Sequence, residues 1–100
     1  MIKENMRKII EERKKIHIED DYGIQECWLK MIDALSENEQ QTVIYLENCT
    51  KEELYYVSEI FEDISQRVQS QMFIECLRKL DKKFPELEMI HDIDLAETYI

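Results

Sequence analysis

Glycine and proline are almost missing from this chain: Gly23 and Pro85 are the only ones among its 100 residues. A many-stranded protein draws on both for its tight turns, so the composition points to an all-α fold. Cysteine is sparse as well. Cys27, Cys49 and Cys76 are odd in number, widely spaced and outside any CxxC pattern, which argues against a disulfide framework or a zinc site. No uncharged stretch is long enough to span a bilayer, and charges interrupt the N-terminus where a signal peptide carries an apolar block. A cytoplasmic protein without membrane contact is expected. Only His17 and His91 titrate near neutrality without a large shift, and no glycine-rich phosphate loop or nucleophile motif occurs. Glu88-Met-Ile-His91 spells ExxH, but a di-iron bundle needs that pattern twice on long helices, with further glutamates. No catalytic residue, metal or cofactor is expected, and a binding protein is the better class than an enzyme.

Cations are scarce where acids are dense. Between Ile16 and Gln66 lie thirteen carboxylates (Glu19, Asp20, Asp21, Glu26, Asp33, Glu37, Glu39, Glu47, Glu52, Glu53, Glu59, Glu62 and Asp63) against Lys30 and Lys51, a net of −11 in a chain of net −10. The stretches Met1 to Lys15 and Arg67 to Lys83 each carry +3, and the tail from Phe84 carries −5. The basic ends are expected to fold near the acidic centre and relieve part of its repulsion. An intense single-sign field also attracts partners of opposite sign. Nucleic acid is an unsuitable ligand, because phosphate binding needs a net basic surface.

One hundred residues make a single domain, residues 1–100, and the 44% hydrophobic content places it in the globular class. The expected architecture is a compact bundle or irregular array of about five helices. Ile2, Met6, Ile9 and Ile10 recur at helical spacing, which Ile16 can extend, and His17 to Gly23 reads as a loop. Ile24, Cys27, Trp28, Met31, Ile32 and Leu35 form a second apolar stripe, with Trp28 a packing anchor. Ser36 with Glu39, and Thr50 with Glu53, match capping boxes. The first starts a short helix bearing Val43, Ile44 and Leu46. The second opens a helix from Thr50 to Val68. Ser70 restarts the chain into a helix with Phe73, Cys76, Leu77 and Leu80, and Pro85 forbids its continuation. Beyond it, Leu87, Met89 and Ile90 could cross the domain in extended form. Asp92 would then cap a final turn with Leu95, Ala96 and Tyr99. Cys27 and Cys76 are expected in the core, and Cys49 at a helix end.

On a 100° wheel, the helix from Thr50 to Val68 gathers Leu54, Val57, Ile60, Phe61, Ile64 and Val68 in one sector. The opposite sector holds Glu52, Tyr55, Tyr56, Glu59, Glu62 and Asp63, with only Asp63 gaining a cation one turn away, Arg67. Unpaired acids at that spacing destabilise a helix, and tyrosine among them suits capture of a lysine- and arginine-rich surface. Those six residues are the expected partner-binding site, with the loop acids Glu19, Asp20 and Asp21 as a second contact.

The strings Glu52-Glu53-Leu54-Tyr55-Tyr56-Val57-Ser58-Glu59-Ile60-Phe61-Glu62-Asp63-Ile64-Ser65, Gln69-Ser70-Gln71-Met72-Phe73-Ile74-Glu75-Cys76-Leu77 and Lys83-Phe84-Pro85-Glu86-Leu87 lie in a small acidic helical chain. Together they resemble bacterial immunity proteins, which guard cells against polymorphic toxins, including those of contact-dependent growth inhibition. The resemblance covers mainly Ser36 to Leu87. It implies a basic toxin domain as partner, often a nuclease whose groove the immunity protein blocks. The rival expectation is a small helical adaptor or regulator, monomeric or homodimeric, that binds through an exposed apolar stripe.

Overall fold

The computed structural model describes residues 2–100, which form seven α-helices: α1 (Ile2–Lys15), α2 (Asp21–Leu35), α3 (Glu39–Asn48), α4 (Lys51–Val57), α5 (Phe61–Val68), α6 (Gln71–Lys83) and α7 (Ile90–Glu97). Four of the starts are set by a short polar side chain that accepts from an otherwise unpaired amide. Asp20 accepts from Gly23, Asn38 from Gln41, Thr50 from Glu53 and Ser70 from Phe73. Thr50 and Glu53 complete a reciprocal capping box. At Gly23 a Cβ would stand 2.7 Å from the Asp20 carboxylate oxygen, so the lone glycine is what lets that cap close.

The expected box at Ser36 is not formed. Ser36 ends α2, and Asn38, with extended backbone, opens α3. The inward face of α3 is accordingly Thr42, Tyr45 and Leu46, while Ile44 faces solvent. Burial of the two polar residues is supported by hydrogen bonds: Thr42 donates to the Leu35 carbonyl and, at 2.9 Å, to that of Asn38, and the Tyr45 hydroxyl donates to Glu53 at 2.8 Å.

The segment expected as one helix from Thr50 to Val68 is broken. Ser58–Ile60 is a 3-10 turn between α4 and α5, with Ile60 at φ −123°, ψ 17°. The Ser58 hydroxyl donates to the Tyr55 carbonyl at 2.6 Å, a local bond of the kind that competes with the helical ladder. Leu54, Val57, Ile60, Phe61 and Ile64 are all buried as expected, and Val68 is half-buried. The apolar positions keep their places across the break, and the polar ones do not share a single outer face.

The tail differs as well. Pro85–Leu87 is a 3-10 turn, α7 starts from Met89 without a side-chain cap, and Asp92 lies inside its first turn. Met89, Ile93 and Ala96 are buried, whereas Ile90 and Leu95 face out. Glu88 is left-handed at φ 52° between the two elements, so Glu88 and His91 do not lie on one helix.

With glycine so scarce, the left-handed helix ends fall on Gln69 (φ 48°) and Glu88, a conformation that carries a penalty for any residue with a Cβ. Gln69 offsets it: its amide donates to the Gln66 and Tyr99 carbonyls at 3.0 and 2.7 Å. Glu88 has no such bonds. Glu88→Gly is therefore expected to raise stability by about 0.5–1 kcal/mol in urea unfolding, and a loss of stability would contradict the strain at this position.

The hairpin of α1 on α2 forms one side of the molecule, and α3 on α6, with α5 and α6 on α7, forms the other. A single core joins them, from Met6, Ile9 and Ile10 through Met31, Leu35, Leu46, Phe61 and Phe73 to Ile93. Phe61 and Phe73 meet edge to face at 6.4 Å. The radius of gyration, 12.6 Å, is that of one domain of this length, about 13 Å.

Candidate functional site

The C-terminal end of α1 carries Arg13, Lys14 and Lys15, and the fold lays it against α4 and the following turn. Arg13 donates two hydrogen bonds to Glu59, at 3.1 and 2.9 Å, and its guanidinium lies 5.6 Å from the centre of the Tyr56 ring. The indole of Trp28 adds a third donor to Glu59 at 3.2 Å. Lys14 pairs with Glu52 and, at 3.2 Å, with Glu11. Hydrogen bonding to Glu59 raises the pKa of Arg13, and bonding to Glu52 raises that of Lys14. The basic N-terminal stretch thus relieves the acidic centre by direct pairing, as its charge segregation implied.

The six residues expected as one face are consequently divided. Glu52 and Glu59 are ion-paired within the protein, and Tyr56 is half-buried beneath Arg13 in a T-shaped pair with Tyr55 at 5.2 Å. Tyr55 and Asp63 remain exposed. Glu62 is half-buried and accepts from the Tyr99 hydroxyl at 3.3 Å. Asp63 does not pair with Arg67, which instead reaches across to Asp33 on α2 at 2.5 Å. Interhelical geometry wins over the one-turn spacing here, because α2 runs beside α5 and its Asp33 meets the guanidinium head-on.

Two cross-links, Trp28 to Glu59 and Asp33 to Arg67, therefore set α2 alongside the stretch 59–67. Asp63, between Glu59 and Arg67 along the chain, is exposed on α5. Of the acids expected in a loop from His17 to Gly23, only Glu19 and the capping Asp20 precede α2, and Asp21 is its first residue; all three are exposed near the end of α1 that holds Glu52 and Glu59. Asp20 is committed to capping α2, and Glu19 and Asp21 have no cation within ion-pair distance among the described residues.

No match is found among protein-family models, curated proteins or solved structures.

The chemistry of the surface is left to speak for it. Of the thirteen central carboxylates only Asp33, Glu52 and Glu59 reach a cation among the described residues, so ten do not. Burial pushes the Asp92 carboxyl above its usual range, opposed by His91 and aided by the Glu62 carboxylate. Burial pushes the Cys49 thiol up to about 12 and that of Cys76 to about 11. Both are thus held as thiols at neutral pH, the unreactive form. Among the described residues no three of His, Cys, Asp and Glu converge as a metal site would require, and no helix is long and apolar enough to cross a membrane.

Sequence reasoning missed Tyr22, Glu26 and Leu29. All three are exposed on the outer side of α2, and the Glu26 carboxylate pushes the Tyr22 phenol up. Their spacing of four and then three was readable in the sequence, but the buried stripe of the same helix drew the reading inward.

Proposed function

We propose that this chain is an immunity protein: acting in the cytoplasm, it binds a toxin domain with a basic groove and covers that groove with carboxylates. The observation that carries the reading is the surplus of uncompensated acid: ten of the thirteen central carboxylates reach no cation among the described residues, and the N-terminal stretch reaches that centre only through Arg13 on Glu59 and Lys14 on Glu52. Internal pairing cannot neutralise the surface, because 23 acids face 13 cations. Self-repulsion of this kind lowers stability, and it is expected where an attraction to a positive partner offsets it.

On docking, carboxylates would take the places of substrate phosphates, pairing with lysine and arginine across the interface. Glu19, Asp21, Glu62 and Asp63 supply free charge and Tyr55 supplies rigid contact area. Glu52, Glu59 and Tyr56, engaged with α1, shape the face and brace it. Long-range attraction would speed association and make it depend on salt.

The test is genetic and direct. The proposal expects a large secreted protein to be encoded beside this chain; its C-terminal domain, expressed alone, should arrest growth, and co-expression of this chain should restore it. Continued arrest, or the lack of any such neighbouring toxin, would overturn the proposal in favour of an adaptor.

A further inference from the structure

The outer side of α2 is an unpartnered apolar stripe set in acid. Taking Ile24 as the centre of the buried face, Tyr22 and Leu29 project to the opposite side of the wheel, between Gln25, Glu26 and Asp33. Tyr22 is 74% exposed and Leu29 55%, and Ile18, in the loop that leads into the helix, is 80% exposed. Side chains so far out of the core add little to folding, and Tyr22 and Leu29 share one outward side of α2, with Ile18 in the loop that leads into it.

Charge selects the occupant. Glu19 and Asp21 lie at the N-terminal end of the stripe, Glu26 on one flank, and Asp63 on the α5 edge held beside α2 by the Trp28–Glu59 and Asp33–Arg67 links. The one lysine of α2, Lys30, lies a turn beyond Glu26 and pairs with Glu12 on α1 at 3.1 Å. A second copy of the chain would set this acid against itself, and an anionic lipid surface would be repelled. A basic protein surface with an apolar recess fits both parts.

We infer that the α2 face is the anchor of the partner interface: Tyr22 and Leu29 enter an apolar recess of a basic protein, and Glu19, Asp21, Glu26 and Asp63 form the charged rim that pairs with its lysines and arginines. The inference rests on the proposed function and places the centre of that interface on α2, not on α4. A few buried anchors ringed by polar contacts carry most of an interface's affinity, and here the chain has those anchors outside its core.

The full-length protein, 15N-labelled, is titrated with two probes: the neighbouring toxin domain in a catalytically dead form, and a synthetic basic peptide alternating Lys/Arg with Leu/Phe. Both are expected to shift amide signals from Ile18 to Asp33 and around Asp63. The double variant Tyr22→Ala and Leu29→Ala, which removes only exposed side chains, should keep its circular dichroism and melting curve and weaken both interactions by about tenfold or more. Shifts centred on α4 or on the α3–α6 groove, or an unchanged Kd in the double variant, would overturn it. So would concentration-dependent self-association that the double variant abolishes, or binding to phosphatidylglycerol vesicles through the same signals. If the variant still rescues growth with unchanged Kd, the α2 anchor falls and the immunity reading stands. If both probes bind α2 but growth is not rescued, the immunity reading falls alone.

Discussion

Truncating Phe61 to alanine is expected to lower the unfolding free energy by about 3–5 kcal/mol, the range for removing a large aromatic side chain from a closed core. Phe61 is 1% exposed and opens α5 at the break in the acidic segment, where it meets Phe73 edge to face. It belongs to the same buried core as Ile60, Ile64 and the inward side chains of α6, where a lost aromatic ring leaves a cavity. A domain of this size holds only about 5–15 kcal/mol in total, and the variant should sit at the edge of its folding transition at room temperature. Urea unfolding followed by the fluorescence of Trp28, the only tryptophan, gives the number. Tyr55→Ala, at an exposed position four residues before Glu59, should stay within about 0.5 kcal/mol of the parent. Similar losses for the two would show that the break does not seat Phe61 as described.

Charge reversal separates the two acids that the helical wheel had treated alike. Glu59→Lys places a cation against Arg13, strips three donors of their acceptor and leaves the Trp28 indole unpaired. Surface ion pairs contribute little, but this one is bidentate, with Arg13 and Glu59 side chains only 15% and 25% exposed. A loss of about 2 kcal/mol is expected from the broken hydrogen bonds and the new repulsion. Asp63→Lys, at a free exposed position, should change stability by about 0.5 kcal/mol or less. For binding the order reverses in kind: Asp63→Lys should slow association with a basic partner and flatten its salt dependence without loss of fold. Paired urea melts and stopped-flow association at two salt concentrations read both quantities. Equal stability losses would remove the distinction between a braced acid and a free one.

The contrast between Glu59 and Asp63 also marks where sequence reading stops. Both are acids four residues apart, and a straight helix would show both to solvent. That expectation assumed regular geometry through Ser58–Ile60, and nothing in the apolar pattern signals the break, because Val57, Ile60 and Ile64 stay buried with or without it. The same limit appears at α3. Ser36 and Glu39 match a capping box as well as Thr50 and Glu53 do, yet only the second pair forms one. Asn38, the residue before Glu39, takes the role, and the packing of α3 on α6 turns Tyr45 inward and Ile44 to solvent. Where the pattern was long and unambiguous, as along Ile24 to Leu35 or Phe73 to Leu80, the buried residues follow it.

The resemblance of Glu52 to Ser65 and of the later strings to immunity proteins entered through sequence, and the proposed function still depends on growth rescue. The surface assigned to it has changed. Glu52, Tyr56 and Glu59 brace it, and the exposed members are now Tyr22, Glu26, Leu29 and Asp63, with Glu19 and Asp21.

By itself the sequence determined that this chain is helical, one domain in size, poor in turns and heavily acidic in its centre, because composition and apolar period are local properties that survive any arrangement of the helices. Only the tertiary structure decided which acids remain free. An ion pair such as Arg13–Glu59 or Asp33–Arg67 joins residues 46 and 34 positions apart, and whether two charges meet across such a distance depends on how helices cross, which no spacing along the chain encodes.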